Sequence, residues 1–235
     1  NKASLNLSWQ YKGNFYWGIN LNFHDILVEK ELRHVESNFD SDSPITDIDF
    51  RNYLTTNGSG ISIQGGLIYK LKSIRLGLSY TTPTYYSFED NLEQYIKTSS
   101  VDVDGNIFTD IVDPQIINLY DYDFKSPSKL SFSIASIINN MIIISADLVS
   151  KDYSNSKFKH DNDGLFNGLN SAIGKNLASV LDYKIGTEIK LNQFSLRGGL
   201  KTSNNPYNTK EKKYITSQTI GLGYDFNGST LDFAV

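Results

Sequence analysis

Apolar and polar residues alternate singly along most of the chain, and the three-to-four spacing of a helix is almost absent. In residues 73–87, SIRLGLSYTTPTYYS, the side chains of Ile74, Leu76, Leu78 and Tyr80 share one parity, with Arg75, Gly77 and Ser79 on the other. Successive side chains of a strand point to opposite faces, so each such run predicts a strand with one greasy face. Leu5, Leu7, Trp9 and Tyr11 repeat the pattern against Asn6, Ser8 and Gln10. Phe15, Trp17, Ile19, Leu21 and Phe23 repeat it against Gly18, Asn20 and Asn22, and Ile61, Ile63, Leu67 and Tyr69 against Ser62, Gln64, Gly66 and Lys70. Tyr120, Tyr122 and Phe124 keep one parity with Leu130, Phe132 and Ile134 across an interposed Ser-Pro-Ser. Ile142, Ile144, Ala146 and Leu148, then Tyr183, Ile185, Ile189 and Leu191, continue the series, as do FSLRGGLK, YITSQTIGLGY and the final TLDFAV. The pattern predicts about ten strands, mostly of the ~9–11 residues that a tilted bilayer-crossing strand needs.

The links between strands alternate in length. Tight links fall at 12–14, 71–73, 138–140, 192–193 and 225–229, and long polar segments at roughly 29–59, 87–114, 152–180 and 204–213. A soluble sandwich has no reason to keep its long loops at one end. Transmembrane barrels do, with short turns on one side of the membrane and longer loops on the other. Aromatics near strand ends (Trp9, Tyr11, Phe15, Tyr69, Tyr80, Tyr183 and Tyr224) stand where interfacial girdles form. The competing reading, a large soluble β protein rich in Tyr and Phe as good strand formers, does not account for the loop asymmetry. The expectation is therefore an all-β fold: an antiparallel transmembrane β-barrel occupying residues 1–235, with its four long loops extracellular.

The opposite face carries Asn6, Gln10, Asn20, Gln64, Lys70, Arg75, Asp147, Asp182, Lys184, Glu188, Lys190, Arg197 and Asp232. Such charges cannot be buried unpaired in a dry core, but a wet or hydrogen-bonded lumen accommodates them. Their mixed signs argue against a general diffusion porin with a like-charged constriction ring. Composition adds limits. The 235 residues include 15 Tyr and 13 Phe but no Cys, which excludes disulfides and thiolate metal sites. A net charge of −4 gives no basic footprint for nucleic acid. Mean hydropathy of −0.34 has the value of a soluble protein, yet barrels share it because half of each strand and all loops are polar. No run is long and apolar enough for a transmembrane helix. The first residues already alternate, so the chain reads as opening inside a strand, as a processed product or fragment.

Catalytic chemistry finds no support. His24, His34 and His160 form no metal-ligand motif, and no nucleophile stands with a partner base. DVDGN (102–106) and HDNDG (160–164) have calcium-loop flavour but miss the ligand register, and read better as solvated acidic turns. Residues 163–181 place Leu165, Leu169, Ile173 and Leu177 near helical spacing, as a short loop helix would. The expectation is a non-enzyme with no cofactor, no metal and no catalytic residue.

Three hairpins, taken in order, carry a family resemblance. GSGISIQGGLIYKLKSIRLGLSYTTPTYYSFED, YDYDFKSPSKLSFSIASIINNMIIISADLVSKDYSN and DYKIGTEIKLNQFSLRGGLKTSNNPY together resemble the FadL/TodX family of outer-membrane transporters for long-chain fatty acids and other hydrophobic compounds. The resemblance covers nearly the whole chain, and its Asn-, Lys- and Ile-rich wording is similar to Bacteroidetes members. It implies a Gram-negative outer-membrane location, a fourteen-stranded parent of which about ten strands stand here, and a hatch lying outside this sequence. It also implies outer-membrane lipids and a hydrophobic small molecule as partners, passive transport, and a monomer. A structural or secretion-associated barrel of the same superfamily is the alternative it leaves open. By strand count, the family's ligand-landing loops match 29–59 and 87–114. The apolar residues there are Ile45, Ile48, Phe50, Tyr53 and Leu54, and Phe88, Leu92, Tyr95 and Ile96. They suit a ligand groove. They equally suit a contact that pins the two loops together.

Overall fold

Left-handed residues mark the tight turns. Lys12 (φ 48°) and Gly13 (φ 74°), Lys72 (φ 40°), Asn139 (φ 50°) with Asn140 (φ 55°), and Asn192 (φ 55°) each reverse the chain between neighbouring strands. Positive φ matches the right-handed twist of hairpin strands, and asparagine tolerates it better than most residues. The computed structural model describes residues 1–40, 42–113, 118–161, 164–209, 213–226 and 228–235. Strand dominates them: β1 (Lys2–Tyr11), β2 (Phe15–Ser37), β3 (Ile45–Leu71), β4 (Ile74–Thr81), β5 (Tyr85–Val101), β6 (Ile107–Val112) and β7 (Asn118–Lys125) come first. They are followed by β8 (Lys129–Ile138), β9 (Ile142–Asp152), β10 (Lys157–Lys159), β11 (Ser179–Leu191), β12 (Phe194–Asn204), β13 (Tyr214–Asp225) and β14 (Thr230–Ala234). Among the described residues one α-helix, α1 (Asn167–Asn176), precedes β11. It is clamped to β10 by Asn170, whose side chain both accepts from Phe158 N–H and donates to Phe158 C=O at 2.8 Å.

The sheet is antiparallel. β3 pairs with β4, β4 with β8, β8 with β9, β9 with β11, and the series runs on through β12, β13 and β14. β1 pairs with β2 and β2 with β3, while β5 lies between β3 and β7 and also carries β6. Counted as passes of the chain, with β4 and β5 as one, β7 and β8 as one, and the short β6 and β10 left out, these make the ten that the alternation predicts. The chain divides into two compact units. The larger holds Lys2–Phe23, Ile61–Tyr85 and Phe124–Val235; the smaller holds His24–Gly60 and Tyr86–Asp123, with Asn1.

Register in the larger unit makes the two faces continuous. Leu78 pairs with Leu67 on one side and Phe132 on the other, and Phe132 in turn with Leu148. Leu148 faces Tyr183, then Ile185 pairs with Leu200, and Leu222 pairs with both Leu196 and Phe233. This greasy face is exposed: Ile185 59%, Ile220 68% and Phe233 69%. By contrast, Asn22 is the most enclosed side chain among the described residues, at 1%, between Ser4 (2.9 Å) and Ser62 (3.4 Å). A water-soluble protein buries its aliphatics and hydrates its asparagines. Here the order is inverted, as it must be where the outer solvent is hydrocarbon.

Two expectations need correction. The parity run from Tyr120 to Ile134 is two strands, broken at 126–128, beside the break at 82–84 between β4 and β5, where the alternation of residues 73–87 itself stops at Pro83. Pro83 and Pro127 have no N–H for the ladder, so the paired interruptions bond to each other. The Thr84 N–H donates to Ser126 Oγ at 2.9 Å and the Ser126 N–H to Thr84 C=O at 3.0 Å. Second, most of 29–59 and 87–114 is strand rather than loop: β2 runs to Ser37, β3 begins at Ile45, and β5 runs to Val101. Segments such as VEKELRHVES are polar on both faces, so alternation does not announce them.

Candidate functional site

In the smaller unit, side-chain contacts fix how β3 and β5 face each other. Gln94 donates to Asn52 at 3.0 Å, and Thr56 donates to Asp90 at 2.6 Å. Gly58 lies under Phe88 so closely that a Cβ would overlap the ring. All of these residues have even numbers, and the alternation of a strand carries the assignment along both chains. Leu54 comes opposite Leu92, between the Asn52–Gln94 and Thr56–Asp90 pairs. Of the nine residues singled out from sequence, Ile48, Phe50, Leu54, Phe88, Leu92 and Ile96 therefore share one face and are half-buried. Tyr53 and Tyr95 belong to the other face, and Ile45 opens β3 where its N–H donates to Ser43 Oγ at 3.1 Å.

Aromatic rings extend the apolar face sideways. Tyr86 stacks on Phe88 with centroids 5.4 Å apart, and Phe88 meets Tyr122 at 5.4 Å. His24 stands edge-on to Tyr86 at 5.7 Å, and Tyr120 lies 6.1 Å from Tyr122. Asp90 is two residues beyond Phe88 on the same face, and its Oδ1 also receives the Tyr122 hydroxyl at 3.5 Å. Partial burial, and then the Asp90 charge, push the Tyr122 phenol above its ordinary value. Neither Tyr86 and Tyr122 nor the Asp90–Thr56 pair was singled out from sequence. The signal was the spacing in YYSF and YDYDF, which puts alternate aromatics on one face of neighbouring strands.

The opposite face of the same unit is ionic. Arg33 grips Asp49 with two bonds of 3.0 Å, and Arg51 adds contacts of 3.2 and 2.7 Å to the same carboxylate. Hydrogen bonds from Arg51 and then Arg33 hold the Asp49 carboxyl well below the usual carboxylate range. Arg51 also lies over the Tyr95 ring, 5.4 Å from its centroid. Tyr95 is thus engaged by a cation.

In the larger unit the polar face is a floor of small residues set with charges. Gly77, Ser133, Asp147, Lys184 and Lys201 follow one another across the strands, as do Ala135, Ser145, Gly186 and Gly199. Arg197 bonds Glu188 at 3.2 Å and also Asp232, so the charges close on each other across four strands, from β11 over β13 to β14. A hollow of about 460 Å³ lies over Gly186, Gly199, Gly221 and Arg197. Another, of about 400 Å³, is lined by Phe15, Trp17, Leu67, Leu78, Tyr80 and Leu130 beside Gly65 on the greasy face.

Other candidate chemistry resolves into turns. Asp102 Oδ1 accepts from the N–H groups of Asp104 (2.9 Å) and Asn106 (2.8 Å), with Gly105 at φ 83°. The carboxylate is spent on its own loop, as in an Asx turn. HDNDG falls partly outside the described residues. His34 bonds Glu36 at 2.7 Å, and no group of three His or acidic residues suited to a metal occurs among the described residues.

No protein-family model matches the sequence, and no curated protein does. Solved structures match in fold. The CymD monoaromatic hydrocarbon channel superposes with a TM-score of 0.58 at 15% identity over 97% of this chain. The Pseudomonas putida toluene transporter TodX superposes at 0.54, with 16% identity over 99% of the chain. The chain has a FadL/TodX-like fold. That fold is an antiparallel transmembrane β-barrel, and the chain spans 65% and 62% of the lengths of those two channels. At such identity the likeness speaks for the path of the strands, and site residues rest on the contacts described above.

Proposed function

We propose that the protein carrying this chain passes hydrophobic small molecules across the outer membrane of a Gram-negative bacterium, downhill and without covalent chemistry. The observation that carries the reading is the sorting of faces. Aliphatic side chains cover the surface that hydrocarbon would solvate, and polar residues cover the other, as a lipid-embedded channel requires. The fold shared with a toluene transporter and a monoaromatic hydrocarbon channel supports the same class of cargo. Within that reading, Ile48, Phe50, Leu54, Phe88, Leu92 and Ile96 form the surface on which cargo lands, and the strand ends that bear them lie outside the cell. Burial against such a surface is worth roughly 25 cal/mol per Å². Ile45, Tyr53 and Tyr95 flank it rather than line it. Outer-membrane lipids surround the greasy face, and the protein acts as a monomer. Long-chain fatty acids and monoaromatic hydrocarbons are the two cargo classes to compare.

The test is uptake of labelled oleate and labelled toluene by cells with wild-type protein, with no protein, and with Phe50, Leu54, Phe88 and Leu92 all replaced by Ser at matched surface level. Wild-type cells should exceed the null strain for at least one compound, and the quadruple variant should fall towards it. Uptake equal to the null strain for both compounds overturns the transport reading. Equal uptake by wild type and variant overturns the landing surface alone.

A further inference from the structure

Asp90 is out of place in an apolar landing surface. It sits between Phe88 and Leu92 on one face of β5, with Tyr122 bonded to it and the ring of Phe88 next along the strand, stacked in turn on Tyr86. The two hydrogen bonds it receives, from Thr56 Oγ1 at 2.6 Å and from Tyr122 Oη at 3.5 Å, both fall on Oδ1. Thr56 is itself buried, at 9%, so its short bond holds the carboxylate in one orientation. Among the described residues no group engages Oδ2. A carboxylate fixed by one oxygen keeps acceptor capacity on the other, and hydrogen bonds to an ionised acceptor are about twice as strong as neutral ones.

Resting on the transport reading above, we propose that Asp90 with Tyr86, Phe88 and Tyr122 forms a selective subsite for small aromatic molecules bearing a hydrogen-bond donor, of the phenol or benzyl alcohol type. The ring of such a ligand stacks against Phe88 and Tyr122, continuing a row already spaced for offset aromatic contact. Its hydroxyl donates to Asp90 Oδ2. A plain hydrocarbon gains the stacking but leaves that oxygen desolvated and without a donor, a discrimination that sites built to bond a hydroxyl exert strongly. A carboxylate-bearing ligand meets like charge. The subsite thereby sorts three ligands of nearly one shape: p-cresol first, toluene second, benzoate last.

The experiment is equilibrium dialysis of labelled p-cresol, toluene, benzoate and oleate against the full-length protein in lipid nanodiscs, with empty nanodiscs subtracted. Wild-type protein should hold p-cresol about tenfold more tightly than toluene, the worth of one charge-assisted hydrogen bond. Asp90→Asn should bring p-cresol to within about twofold of toluene and raise benzoate binding, while Asp110→Asn, on β6, should leave the order unchanged. Far-ultraviolet circular dichroism checks that each variant keeps its strands. Equal affinity of the wild type for p-cresol and toluene, or a preference retained by Asp90→Asn, overturns the subsite while binding of toluene or oleate leaves the transport reading standing. Failure of all four compounds to exceed empty nanodiscs overturns both.

Discussion

Gly58 lies beneath the ring of Phe88, so close that a β-carbon would overlap two ring atoms. A glycine opposite an aromatic lets the ring lie across the neighbouring strand, covering backbone that would otherwise be bare. Gly58→Ala should therefore push Phe88 from its stack with Tyr86 and Tyr122. The expected cost is roughly 1–3 kcal/mol, in the range of overpacking. Thermal unfolding in detergent measures it. Gly58→Ala combined with Phe88→Leu should be less destabilised than the sum of the two single changes, because the clash is their shared term.

The paired proline breaks make a second prediction. Thr84 is 7% exposed and its N–H is satisfied by Ser126 Oγ. Ser126→Ala leaves that donor buried without its partner, at a cost of roughly 1–3 kcal/mol, whereas Ser126→Thr keeps the hydroxyl and should cost less. Urea unfolding from lipid bilayers, compared for the two variants, decides whether this bond or only side-chain size matters.

The two faces of β11, β12 and β13 should respond oppositely to charge. Ile185 is 59% exposed on the greasy face, and Ile185→Lys should cost about 2–4 kcal/mol near the bilayer midplane. Thr219, paired with Gly199 on the polar face, should accept Lys with little loss. Folding efficiency into liposomes reads the contrast. Equal penalties would refute the assignment of faces.

Asp49 gives a pH prediction for the smaller unit. Its carboxyl is held low by Arg51 and Arg33, so the folded state binds this proton less readily than the unfolded chain. The stabilisation is fully present above the ordinary carboxylate value of about 4 and is lost as pH falls below it, through the depressed folded value. Amide protection in residues 30–37 and 47–53, taken relative to the intrinsic exchange rate at each pH, should thus hold through pH 5 and fall only in stronger acid. In Asp49→Asn the same amides should exchange faster already at pH 7, with no further acid step from this site. High salt should narrow the difference, because the cluster is exposed to solvent.

Alternation alone determined that this is a β protein of ten passes with one apolar and one polar face, and even the turn positions followed from where the pattern breaks. Period two maps directly onto pleat geometry: Leu76, Leu78 and Tyr80 can share a face only as a strand. The same rule was silent wherever both faces are polar. It left β2 beyond residue 29 and β3 before residue 59 as loops, although the ladder there is made by backbone groups that carry no sequence signature. It also ran one strand through Pro127, because parity counts residues and does not register a missing N–H. Which apolar residues stand together was a matter of pairing. Phe50 and Tyr53 are close in sequence, yet only the register against β5 puts Phe50 on the face of Leu92 and Tyr53 with Arg51 on the other. Asp90 shows the same limit most sharply. In sequence it is one acid among many; its neighbours Thr56 and Tyr122 lie 34 and 32 residues away, and only folding brings their hydroxyls to one oxygen.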